Sequence, residues 1–309
     1  MLRPIAGDPA ARGLMDDAAL LSVTTGALVV THDMIVEGVH YLPDDSPQSV
    51  AWKLVAVNLS DLAAKGAKPL GLVLGYALAE DAAWDAAFVA GLGEALSAFD
   101  VPLLGGDTVA MPAGAPRALG LTAFGQAPEC GAPDRRSAQA GDMVWVTGTI
   151  GDAGLGLAIR QEKAAGGDML VRAYTCPRPQ LAFGQAVAPH VHAMADVSDG
   201  LLIDAHRIAQ ASGVAIEFDM DAIPLSPAFV EVAGSSLDAR LEAAMAGDDY
   251  QLLFTAPAQA SAAIEELGRS LAIHVHRIGR VAPGSGLSLC ENDRHVAIPE
   301  RLGYQHGVN

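Results

Sequence analysis

The sequence predicts a mixed α/β protein of the α+β kind, built as two domains. Three observations carry that expectation. Apolar runs of strand length alternate with helical patterns along the whole chain. A stretch rich in Gly, Pro and Ala, Leu121 to Asp142, interrupts them near the middle. The 309 residues, 51% hydrophobic, suffice for two cores of ordinary size. The boundary is placed in that stretch, giving domains 1–130 and 131–309.

In the first half "GALVV" (Gly26 to Val30) and "LGLVLGYALA" (Leu70 to Ala79) read as strands, and Ser46 to Lys65 and Trp84 to Phe99 as helices. The first helix has a start, Ser46 as N-cap with Pro47 at the first helical position, and a stop, Gly66 with Pro69 beyond it. Most of its faces are apolar, while Asn58, Asp61 and Lys65, at i, i+3 and i+7, line one polar seam. A carboxylate at that place has to pair, neutralise or bind a cation, because an unpaired buried charge is costly. The second half opens with the strand-like "MVWVTG" and the glycine-rich "GTIGDAGLG" (Gly148 to Gly156) leading into a helix. "DVSDGLLIDAHRIA", the alternating "VAIEFDM" and "AGDDYQLLF" follow. No repeat of 20 to 50 residues is present.

Thirty-six acids against 19 bases give a formal net charge of −17, which repels a nucleic-acid backbone, and there is no local basic patch to offset it. No apolar run approaches a membrane span and the N-terminus lacks a signal-peptide core, so a soluble cytoplasmic protein is expected. Cys130, Cys176 and Cys290 make neither a disulfide framework nor a C-x-x-C zinc site.

Acids recur at the edges of apolar elements: Asp16 and Asp17, Asp33, Asp61, Asp107, Asp196 and Asp199, Asp248 and Asp249. Each alone reads as a cap or turn residue. Their joint placement suits a hard divalent cation: Asp33 is expected to end a very apolar strand, and Asp107 follows a Gly-Gly pair that admits a ligand to the backbone. "GTIGDAGLG" fits either a tight strand-to-helix turn or a phosphate cradle, and it is not a Walker A loop. His190 with His192, and His274 with His276, have the spacing that puts both rings on one side of a strand. The "DMD" of Asp219 to Asp221 is expected at a strand end.

Taken in order, "MDDAAL", "THDMIVEGVHY", "AVNLSDLAAKGAKP", "LLGGDT", "RRSAQAGDMVWVTGTIGDAGLGLAI", "DVSDGLLIDAHRIA" and "GDDYQLLF" resemble the thiamine-monophosphate kinases of the aminoimidazole-ribonucleotide-synthetase-like superfamily, nearly end to end. The resemblance implies that superfamily's two-domain fold, with N-terminal-domain strands forming a dimer barrel and the nucleotide in a cleft between the domains. It implies transfer of the γ-phosphate of ATP onto thiamine monophosphate with several Mg²⁺ ions. The implied metal ligands are Asp17, Thr31, Asp33, Asp61, Asp107, Asp196 and Asp199, of which Asp61, Asp107 and Asp199 are catalytic. Gly106, Asp107, Arg136 and Ser198 would meet ATP; His40, Asp248 and Tyr304 would meet the thiamine phosphate. Three positions depart from the family pattern: Met15 replaces a glycine, His32 a threonine and Asp248 a glutamate.

Two other readings share the acids. One is an ATP-dependent synthetase or maturation enzyme of the same superfamily, although the chain lacks the cysteine that such relatives carry near one terminus. The other is an acidic cation-binding scaffold, which needs no Arg136.

Overall fold

Ser46 Oγ accepts the backbone N–H of Ser49, and Pro47 follows as the first helical residue, so helix α1 (Pro47–Ala64) begins at the predicted cap. It ends where Gly66, at φ 59°, turns the chain and lets the N–H of Ala67 reach the carbonyl of Leu62 at 2.9 Å. Between these caps nearly every side chain is buried, Lys53, Asn58 and Ser60 included, so α1 is a central helix and not a surface one. The computed structural model of the protein describes residues 3–5, 7, 8, 10, 26–79 and 81–305. They fall into two units, Met1–Leu62 with Ala67–Glu129, and Ala63–Gly66 with Cys130–Asn309.

The first unit carries β1 (Leu28–Val36), β2 (Lys68–Leu78), α2 (Ala82–Phe99), β3 (Leu103–Ala110) and β4 (Ala118–Gln126). The strands form one sheet in the order β1-β4-β2-β3, antiparallel except for β2 with β3. On β1 the side chains alternate. Thr31, Asp33 and Ile35 face inward, while Leu28, Val30, His32 and Met34 are exposed. Asp33 therefore does not end its strand, as its local sequence suggested. Pairing with β4 carries β1 three residues further, to Val36 opposite Ala118, and Asp33 sits within the ladder opposite Leu121. Helix α2 starts at Asp81, whose carboxylate caps the N–H of Trp84, and crosses α1 at Gly91, where a Cβ would run into the backbone of Gln48.

The second unit is a seven-stranded sheet in the order β11-β10-β7-β9-β5-β8-β6. Its strands are β5 (Asp142–Thr147), β6 (Ala193–Asp196), β7 (Ala215–Asp219), β8 (Leu252–Pro257), β9 (Val275–Ala282), β10 (Gly286–Glu291) and β11 (Arg294–Val296). Among the described residues its helices are α3 (Asp152–Arg160), α4 (Asp168–Thr175), α5 (Leu181–Val187), α6 (Leu201–Ser212), α7 (Pro227–Ala233), α8 (Leu237–Met245) and α9 (Ser261–Ser270). The period-2 pattern of the central strands feeds two cores. Val144, Val146, Ala195 and Leu253 pack with α6 and α8, whereas Trp145, Met194, Leu252 and Phe254 pack with Phe183 of α5 and Ile264 of α9.

Two histidine expectations part here. His274 and His276 do share a side, with ring centroids 6.4 Å apart. His190 closes a 3₁₀ turn, so it and His192 are not on a strand, and His192 instead meets Asp142 at 2.9 Å. Pro189 in that turn has no N–H for a ladder, which explains why the pattern fails there. Asp219 ends β7 as expected and caps Asp221. Replacing Gly91 by Ala is expected to lower the unfolding free energy by about 1–3 kcal/mol, because the added methyl is overpacked against backbone; urea denaturation of the variant beside the parent protein measures it.

Candidate active site

In the first unit α1 presents the polar seam to β1. The Asp33 N–H donates to Asn58 Oδ1 at 2.9 Å, and Asn58 Nδ2 donates to the Leu54 carbonyl at 2.9 Å. The Thr31 hydroxyl donates to the Asp61 carboxylate. Sequence reading thus places Asp61 correctly on a seam, and the structure supplies its neighbour. Asp107 lies exposed on β3 opposite Gly75, its Oδ1 accepting the N–H of Thr108 at 2.9 Å. The glycine before it serves the sheet: a Cβ on Gly106 would strike the Leu74 carbonyl of β2, whereas Gly105 faces open space. His40 belongs to the turn after β1. Its Nδ1 accepts the Val36 N–H at 3.1 Å, leaving the proton of the neutral ring on Nε2, and its carbonyl accepts from the buried Lys53 ammonium at 3.0 Å. Asp17 lies outside the described residues.

The second unit gathers four expected residues by backbone hydrogen bonds. The Asp248 N–H donates to the Ser198 carbonyl, and the Tyr304 N–H to the Asp199 carbonyl, both at 2.8 Å. Asp248 and Tyr250 adopt positive φ, 70° and 49°, a costly conformation for residues with side chains. The Tyr250 hydroxyl donates to Asp248 Oδ1 at 3.0 Å. Asp196 ends β6 beside Leu252, almost fully buried. Gly200 links the segment to α6 at φ 129°, where a Cβ would lie 2.9 Å from the Met245 carbonyl.

Two residues that sequence reading missed hold this segment. Asp204, in the first turn of α6, accepts the N–H groups of Ser198 and Asp199 on Oδ2, each at 3.1 Å. Its Oδ1 accepts Arg207 Nη1 at 2.6 Å, and the same nitrogen reaches Asp199 Oδ2 at 2.7 Å. Burial pushes the Asp204 carboxyl up to about 6, with Arg207 pulling it the other way. The spacing Asp199, Asp204, Arg207 in "SDGLLIDAHR" was the available signal, since i and i+3 share a helix face.

Arg136 is not brought to Ser198. Its exposed guanidinium pairs with Asp134 and holds that carboxyl down at about 2 through its side-chain hydrogen bond. The Arg135 carbonyl accepts Ser212 Oγ at 2.8 Å, so this turn docks at the C-terminal end of α6, whereas Ser198 lies before its N-terminal end, the helix between being about 18 Å long at 1.5 Å per residue. The glycine-rich turn is also settled. Its N–H groups at Gly151 and Ala153 donate to the buried Asp249 carboxylate, at 2.8 and 3.4 Å. The group at the head of α3 is the chain's own carboxyl, and burial pushes its pKa well above the usual carboxylate range.

Mg²⁺ asks for oxygen donors, few carboxylates and room for phosphate and water. Thr31, Asp33, Asp61 and Asp107 in one unit and Asp196 and Asp199 in the other are such donors. Among the described residues no group of three or more His, Cys, Asp or Glu side chains forms a ready metal cage. The donor chemistry fits a magnesium ion completed by phosphate oxygens.

This two-unit fold and its paired acid segments define a class. The family AIR synthase related protein matches the chain twice, its N-terminal domain over residues 15–127 and its C-terminal domain over residues 139–290. Relatives narrow that class. The thiamine-monophosphate kinase of Caulobacter vibrioides is 39% identical, over 99% of this chain and 89% of its own length. That of Escherichia coli K12 is 35% identical, over 95% and 91%. The chain belongs to the thiamine-monophosphate kinase family. The solved thiamine-monophosphate kinase of Stenotrophomonas maltophilia K279a superposes with a TM-score of 0.85 at 38% identity, covering 93% of each chain. AaThiL, solved with AMPPCP and TMP, gives 0.77 at 28% identity, covering 90% of this chain and 87% of its own.

Asp249→Ala is expected to cost about 1–3 kcal/mol of stability, since it strands two buried N–H groups; thermal unfolding followed by circular dichroism reads the loss.

Proposed function

We propose that the protein phosphorylates thiamine monophosphate to thiamine diphosphate, taking the γ-phosphate of ATP directly, with Mg²⁺ ions. The observation that carries this reading is the gathering of Ser198, Asp199, Asp248 and Tyr304 by three short backbone segments. It sets residues proposed for nucleotide and metal beside residues proposed for the acceptor. The ligands AMPPCP and TMP of the related AaThiL support the same pair of substrates.

Both reactants are anionic, so the protein's task is to position them and offset charge; no side-chain nucleophile is needed. Mg²⁺, when bound, neutralises charge on the phosphate oxygens. Asp17, Thr31, Asp33, Asp61 and Asp107 would hold it in the first unit, and Asp196 and Asp199 in the second. The Ser198 and Asp199 N–H groups are already taken by Asp204, so Ser198 meets the nucleotide through its hydroxyl. Arg136, at the other end of α6, is left for the base or ribose end of an extended nucleotide, with Gly106 and Asp107 toward the phosphates. His40 of the first unit, and Asp248 and Tyr304 of the second, are assigned to the acceptor.

We place the enzyme in the cytoplasm; among the described residues no helix is long and apolar enough to cross a membrane. We also propose a homodimer through the outer face of β1. Val30 and Met34, 54% and 51% exposed, lie there on an edge strand, and Val109 of β3 is 52% exposed. A run of apolar side chains of this kind seeks cover. Val30→Asp together with Met34→Asp is expected to halve the mass seen by sedimentation; an unchanged mass refutes the face.

ATP labelled at the γ-phosphate, incubated with thiamine monophosphate and Mg²⁺, is expected to yield labelled thiamine diphosphate, with no labelled protein after acid quench. Stoichiometric release of inorganic phosphate with an unlabelled organic product would mean a synthetase instead. Asp61→Asn and Asp107→Asn are each expected to lower kcat by about 10²-fold or more with the fold intact.

A further inference from the structure

One guanidinium nitrogen serves two carboxylates of unequal burial. Arg207 Nη1 lies 2.6 Å from Asp204 Oδ1 and 2.7 Å from Asp199 Oδ2. The Asp204 side chain is 4% exposed and carries two backbone N–H groups on its other oxygen, whereas the Asp199 side chain is 24% exposed. The two pairings therefore differ in what breaking them costs. Uncovering Asp204 strands a buried charge; uncovering Asp199 returns its carboxylate to solvent, or to a cation that replaces the one removed. Arg207 itself is 37% exposed, so its head has room to tilt away from Asp199 while it stays on Asp204.

We infer that Arg207 is the resident counter-cation of Asp199: it occupies the carboxylate oxygen that a divalent ion takes, yields that oxygen when the ion binds, and remains anchored by Asp204. The inference rests on the reading of Asp199 as a metal ligand. Arg207 in this role offsets the charge of Asp199 in part and keeps its segment ordered before metal arrives, and it lowers the affinity of Asp199 for a bare cation. The metal is then held well only when phosphate oxygens bring further negative charge. That couples ion loading to nucleotide at this position.

The test measures Mn²⁺ binding to the nucleotide-free protein by electron paramagnetic resonance, for the parent protein, Asp199→Asn, Arg207→Gln and Arg207→Lys. Arg207→Gln is expected to bind Mn²⁺ at least about tenfold more tightly at the site that Asp199→Asn removes, the lower, water-screened end of the effect of a charge a few ångströms from an ion. Arg207→Lys, which keeps the charge, is expected to stay within about twofold of the parent. If Asp199→Asn removes a site but Arg207→Gln binds no more tightly, the counter-cation role is overturned and the metal reading stands. If Asp199→Asn removes no site, both fall. A crystal structure of the parent protein with Mn²⁺ checks the exchange without any variant, the ion being located by its anomalous signal. Arg207 should have left Asp199 and kept Asp204; an intact Arg207 to Asp199 pair beside a metal on Asp199 overturns the inference.

Discussion

Two hydrogen bonds from consecutive backbone amides to one buried carboxylate fix the segment on which the second unit's proposed site is built. Asp204 reaches back from the first turn of α6 to the N–H groups of Ser198 and Asp199. A helix start leaves its first N–H groups unsatisfied, and a side chain inside the helix here serves the loop before it. The consequences spread outward. With those amides held, the carbonyls of Val197, Ser198 and Asp199 point where Tyr250, Asp248 and Tyr304 can donate to them. Gly200 must then cross to α6 at a φ that side chains rarely adopt, and the chain at Asp248 and Tyr250 takes up left-handed backbone to keep pace. The strain is tolerated because three separate segments pin it.

The acid excess of the chain is divided between different tasks. Asp249 closes the head of α3 from inside the protein, Asp81 caps α2, and Asp142 takes His192 and the Thr255 hydroxyl. These carboxylates answer to the fold. Asp107 and Asp61 differ in kind: the one is exposed on a strand and the other half-buried against the Thr31 hydroxyl.

Local chemistry made part of this legible. The Ser46 cap and the Gly66 stop rest on interactions within a few residues of each other, so sequence spacing carries them; helical spacing also shows the seam of Asn58 and Asp61, but not its partners on β1, 25 and 30 positions away. The fold class and the family were readable because the acid segments occur in a fixed order along the chain. What sequence could not give depends on partners distant in the chain. The length of β1, and with it the place of Asp33, is set by β4 some ninety residues later. The role of "GTIGDAGLG" is decided by a carboxylate 98 positions away. The separation of Arg136 from Ser198 follows from where Ser212 meets the Arg135 carbonyl. Asp204 and Arg207 were visible as a spacing, but an acid and a base three apart on a helix usually mean only a solvated pair.

Helix α1 is clasped at separate points along its length. Asn58 is tied to the backbone of β1, Asp61 to Thr31 two residues from that contact, and Lys65 beyond the last turn donates to the carbonyls of Pro133 and Met194, each at 3.2 Å. Each residue added to or removed from a helix rotates everything beyond it by about 100° and shifts it by 1.5 Å. A single deletion between Asn58 and Asp61 would thus keep the two side chains from meeting Asp33 and Thr31 of β1 at the same time. Point substitutions on this helix can be graded by size and polarity, whereas a residue lost or gained between Asn58 and Asp61 breaks the spacing through which both meet one strand.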